Sequence, residues 1–161
     1  MKKNLYIVLA IVIFASLLSG CAAKPGDALI TVRGDIGKTN SGSNYILDQA
    51  AFDANSVELT YNDPWMGDGL KYQGILLSDL IELVKPGADV TIVSLVCTDG
   101  KAFDIAIADA QTYDIMLARW VDGTLLDESN GGPVKVAYPD DSKAIYPDEN
   151  WAWWVVAVEF K

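Results

Sequence analysis

Apolar positions fall mostly at the two-residue spacing of strands. Residues 28–33 (Ala-Leu-Ile-Thr-Val-Arg) are rich in β-branched side chains and stop at Gly34, which predicts a strand. Residues 38–44 are loop by composition, and 45–52 predict a short helix. Residues 57–61 predict a strand running into the turn signal Asn62-Asp63-Pro64. Leu77, Leu80, Ile81 and Val84 recur at helical spacing, so 76–84 predict a helix, stopped by Pro86-Gly87. Residues 91–96 form a nearly continuous apolar strand, joined through Asp99-Gly100 to a second at 103–107. Residues 109–113 read as one helical turn. A second hairpin signal, Asp122-Gly123, joins strands at 115–121 and 124–126. After the loop Asn130-Gly131-Gly132-Pro133, residues 134–138 predict another strand. In 151–160 alternation puts Trp154, Val156, Val158 and Phe160 on one face, and Trp153, Val155, Ala157 and Glu159 on the other. No internal repeat interrupts this order. The expected fold class is α+β: one mixed, sheet-rich domain with short helices, spanning residues 28–161.

The first residues carry a different pattern. Lys2 and Lys3 precede an apolar run from Leu5 to Leu18, too short to span a bilayer and of the length of a signal-peptide core. The following Leu18-Ser19-Gly20-Cys21 resembles the lipobox of bacterial lipoproteins. That resemblance implies a signal peptide at 1–20, a lipidated Cys21 as the first mature residue, and a short tether at 21–27. It implies an extracytoplasmic protein held at the cell membrane by its acyl chains. Removing the leader and its two lysines leaves the chain still more acidic, so anionic headgroups repel the domain itself.

Composition narrows the chemistry. The chain has 161 residues, 22 acidic against 12 basic, and a formal net charge of −10. That balance argues against a nucleic-acid partner, whose phosphates need a basic surface. There is no histidine, which removes Ser-His-Asp triads, Cys-His dyads and His-ligated metals. With Cys21 acylated, Cys97 is the only remaining thiol; it lacks a Cys-x-x-Cys partner and reads as a small buried strand residue. The acidic pairs Asp140-Asp141 and Asp148-Glu149, and Asp63 with Asp68, match no EF-hand spacing and read as solvated loops. Five tryptophans stand out: Trp65 on a Pro-Gly-rich loop, where a rigid aromatic lines a pocket, then Trp120, Trp151, Trp153 and Trp154.

Several blocks in order then suggest a family. They are Pro64-Trp65, Tyr72-Gln73-Gly74-Ile75-Leu76-Leu77-Ser78-Asp79-Leu80, Thr98-Asp99-Gly100, Ile115-Met116-Leu117-Ala118-Arg119, Asp122-Gly123, and Gly131-Gly132-Pro133-Val134-Lys135-Val136-Ala137-Tyr138-Pro139. Together the blocks resemble the molybdopterin-binding oxidoreductase domain of the sulfite oxidase type, over about residues 55–160. The resemblance implies that fold and a molybdopterin cofactor. It also implies a pocket lined from 62–65, 98–101 and 131–135, with Asn62, Trp65, Tyr72, Asp99, Lys101, Arg119 and Lys135 as candidate binding residues. In the catalytic members a cysteine thiolate on the segment before the aromatic-Gly block binds molybdenum. Here that segment, 57–63, has no cysteine. Two functions stay open: a redox protein that binds molybdopterin or another cofactor, and a non-catalytic lipoprotein that binds a small ligand or a membrane protein.

Overall fold

The structure is a computed structural model, and residues 25–161 are described. The expected leader and the lipidated Cys21 lie outside the described residues. The domain is held from its first turn: the Gly26 N–H donates to the Asp48 carboxylate at 2.6 Å.

Among the described residues ten strands form two five-stranded sheets. The first contains β1 (Ala28–Gly34), β2 (Tyr45–Asp48), β5 (Ile92–Cys97), β6 (Ala102–Ala106) and β10 (Val155–Phe160), in the order β2-β1-β10-β5-β6. The β1–β10 pair is parallel and joins the first strand to the last; the other pairs are antiparallel. The second sheet contains β3 (Val57–Asp63), β4 (Gly67–Leu76), β7 (Met116–Val121) and β8 (Thr124–Leu125), with β9 (Lys135–Ala137) also pairing β7. Helices α1 (Gln49–Ala54), α2 (Leu77–Val84) and α3 (Ile107–Thr112) are short. Among the described residues no helix is long and apolar enough to cross a membrane.

Local chemistry explains most elements. Asp122 and Gly123 both take positive φ, 47° and 74°, the backbone a two-residue hairpin of this hand demands. Helix α2 turns Leu77, Leu80, Ile81 and Val84 inward and ends on Lys85 in a left-handed conformation. One buried apolar cluster runs through both sheets and includes Ile30, Val32, Tyr61, Tyr72, Leu95, Leu117 and Phe160. Burying such a set is the main force holding the sheets together.

Three expectations change. The helix expected at 45–52 is strand β2 followed by α1: Leu47 pairs with Ile30 in the core, and the Asp48 carboxylate caps the helix by accepting from Ala51 N–H. Strand β4 departs from the expectation, because Gly67 and Gly69 look like turn residues; both take positive φ at the turn end of the hairpin. The last strand begins at Val155, not Trp151. A bulge lies between Val155 and Ala157 opposite Cys97 and Val96, so simple alternation does not cross it.

Candidate functional site

The site starts at the β3–β4 turn. Asp63 ends β3, and its Oδ1 accepts from the Trp65 and Met66 N–H groups at 2.8 and 2.9 Å, an Asx turn that presents Trp65. Its Oδ2 accepts from the Tyr72 hydroxyl at 2.6 Å and from Lys135 Nζ at 2.5 Å. Both side chains of this ion pair are fully buried. Burial pushes the Asp63 carboxyl up, but the Lys135 ammonium, the Tyr72 hydroxyl and the turn amides outweigh it and leave it below the ordinary range. For Lys135 burial dominates and lowers it, with Asp63 pulling the other way. The Lys135 ammonium also lies 5.2 Å from the Trp153 ring centroid, 5.3 Å from Trp151 and 5.4 Å from Tyr72.

Above this floor run the C-terminal tryptophans. Backbone bonds tie their segment to two loops at once: Val136 N–H donates to Ala152 O, Trp154 N–H to Gly131 O, and Thr98 N–H to Trp154 O. Trp154 sits in the left-handed region at φ 57°, and its indole N–H donates to Glu128 O at 2.8 Å. Because of that turn, Trp153 and Trp154 do not diverge as alternation predicts; their rings are 5.8 Å apart. Gly131 makes the close approach possible. It takes φ 88°, and a Cβ there would stand 2.9 Å from the Trp153 ring.

These elements enclose a cleft of about 260 Å³, walled by Trp65, Trp151, Trp153 and Trp154, with Phe103 and Cys97. Its polar rim carries Asp99, Lys101, Asp148 and Glu149, three carboxylates to one ammonium. Lys101 lies 3.4 Å from Asp99 in an exposed ion pair. A neighbouring hollow of about 550 Å³ shares Asp99 and Trp154 and adds Thr98, Glu128, Gly132 and Pro133. Burial raises the Cys97 thiol to about 11, so it stays protonated and unreactive near neutral pH. Among the described residues no three acidic or thiol side chains converge on a point where a metal ion could sit.

The seven candidate residues separate. Trp65, Asp99 and Lys101 line the cleft; Lys135 and Tyr72 do not, but form a fully buried floor beneath its Trp151 and Trp153 walls. Asn62 serves the hairpin instead, accepting from Gly69 N–H and donating to Asp140. Arg119 is absent from the cleft; its guanidinium lies 5.4 Å over the Trp120 ring. Sequence reasoning placed Asp63 in a solvated loop and did not bring Asp148 and Glu149 to the site.

Two sheets sharing one core, with an aromatic cleft where the β3–β4 turn, the β5–β6 hairpin and the segment before β10 meet, define a sheet-rich ligand-site domain of the molybdopterin-binding oxidoreductase type. The chain belongs to the oxidoreductase molybdopterin binding domain family, whose model matches residues 48–159. Among solved structures it is similar to the sulfane dehydrogenase SoxCD from Paracoccus pantotrophus, with a TM-score of 0.63 and 14% identity. That match covers 83% of this chain and 38% of the SoxCD chain. At this identity the likeness carries the fold alone. No curated protein matches the chain.

Proposed function

We propose that this protein is a membrane-anchored extracytoplasmic lipoprotein whose family domain works as a ligand- or partner-binding module rather than as a molybdenum enzyme. The observation that carries this is the floor of the cleft. Lys135, one of the candidate cofactor-binding cations, is buried and fully engaged by Asp63. An anionic pterin phosphate needs free donors and positive charge. The rim offers Asp99, Asp148 and Glu149 against one paired lysine. The residues present therefore do not fit that cofactor.

Two further points support the reading. The segment that bears the molybdenum thiolate in catalytic members, 57–63, holds no cysteine here. The Tyr61 side chain is buried, with its hydroxyl donating to Asp114 O at 2.6 Å. Cys97 lines the cleft but is a protonated thiol. For anchoring, the support is the order Lys2-Lys3, apolar run, Leu18-Ser19-Gly20-Cys21.

Full-length protein purified from a molybdopterin-making host tests the module reading by metal analysis and absorption spectrum. A colourless preparation without stoichiometric molybdenum is expected; a molybdenum-loaded one overturns the reading. Mass spectrometry of the mature N-terminus tests the anchor. An acylated Cys21, and release of a Cys21→Ser variant from membranes, are expected. An unmodified Cys21 at a retained leader would refute it.

A further inference from the structure

We propose that the tryptophan-lined cleft binds a small organic cation, with a quaternary ammonium as the class that fits it best. This deepens the module reading above and rests on it.

The walls give the first reason. Trp65 and Trp153 have ring centroids 5.7 Å apart with planes at 84°, Trp65 and Trp151 5.9 Å at 71°, and Trp153 and Trp154 5.8 Å at 75°. Successive rings thus stand close to perpendicular. They line the cleft as an edge-to-face array rather than as the flat platform on which a sugar ring would stack. An indole face open to the cleft attracts a cation through its quadrupole, more strongly than the other aromatic rings do.

Charge gives the second. The rim sets three carboxylates against one ammonium. The adjoining hollow contributes Glu128. An anion meets repulsion on this path, and a cation is drawn in. Trp151 and Trp153 already stand 5.3 and 5.2 Å from one ammonium, the buried Lys135 Nζ.

The third reason concerns hydrogen bonds. The wall is mostly indole, with few acceptors for the three N–H groups of a primary ammonium. A quaternary ammonium has none to satisfy. Trp151, only 4% exposed, has an indole N–H with no acceptor among the described residues. A metal ion is the poorer occupant, since no three acidic or thiol groups converge there among the described residues.

The test titrates the full-length chain, in an uncharged polyoxyethylene detergent, while tryptophan emission is recorded. The probes are choline, ethanolamine, the carbon isostere of choline with tert-butyl in place of trimethylammonium, and glucose. Choline should give a saturable change, with the isostere and ethanolamine each about tenfold weaker and glucose silent. Asp148→Asn combined with Glu149→Gln, on exposed residues, should weaken choline about fivefold and flatten its salt dependence. Trp65→Ala should weaken it about tenfold. Equal affinity for choline and the isostere would mean an apolar pocket and would overturn the proposal. A response to glucose alone, to ethanolamine above choline, or to no probe would overturn it too. The module reading fails separately: molybdenum in the purified protein defeats it whatever choline does, whereas a metal-free protein deaf to choline loses only this inference.

Discussion

The floor and the rim of the cleft carry the same kinds of side chain and use them differently. At the floor, Lys135 and Asp63 are fully buried, and each Asp63 oxygen has two donors. At the rim, the Asp99 and Lys101 side chains are 43% and 74% exposed, and their ion pair spans 3.4 Å. A buried pair must satisfy itself, because removing one partner strands a charge in a medium that cannot solvate it. An exposed pair contributes little to folding and remains free to answer a ligand. The floor therefore builds the site and the rim selects what enters it.

The largest expected effect comes from breaking the floor. Lys135→Met leaves the Asp63 carboxylate buried without its cation and should cost about 3 kcal/mol or more in urea unfolding. Adding Asp63→Asn should recover much of that loss, because an asparagine oxygen still accepts from the Trp65 and Met66 amides and no charge is stranded. If the double variant were no more stable than the single, the pairing would not be what the floor depends on.

Gly131→Ala acts where floor meets wall. The new Cβ would press on the Trp153 ring at 2.9 Å from a backbone at φ 88°. A loss of about 1–2 kcal/mol is expected, together with a shift in tryptophan emission, in a thermal melt followed by fluorescence. A stability loss without the emission shift would detach the glycine from the cleft.

Acid sharpens the contrast further. The folded Asp63 carboxyl lies below its ordinary value of 3.8. Its contribution is therefore complete above that value and is lost as pH falls through the lower folded value. Acid unfolding should show this component in the wild type and lose it in Asp63→Asn. Asp148→Asn, at an exposed position, should alter stability by less than about 0.5 kcal/mol, the smallest effect of the series.

What the sequence revealed tracks how local each cause is. The Asp99-Gly100 and Asp122-Gly123 hairpins were legible because turn chemistry is written in two adjacent residues. Helix α2 was legible because four apolar side chains repeat on one face. Strand β4 was hidden by Gly67 and Gly69, which resemble a loop until a partner strand is known. The tryptophan segment was misread because its alternation passes through a left-handed Trp154 and a bulge, neither of which leaves a mark in residue type. The site was half legible. Family blocks pointed to Trp65, Asp99, Lys101 and Lys135, but the pairing of Asp63 with a lysine seventy-two positions away is a tertiary fact. Without that pairing Lys135 reads as a phosphate ligand, and with it as a structural cation.

That assignment can be read from the lysine itself. The Lys135 ammonium nitrogen, observed by NMR in selectively labelled full-length protein during a titration with inorganic phosphate, reports whether its charge is available to anions. The resonance should stay fixed across the titration, as expected of an ammonium sealed against Asp63. A saturable shift on adding phosphate would show an accessible cation at the base of the cleft and would contradict it.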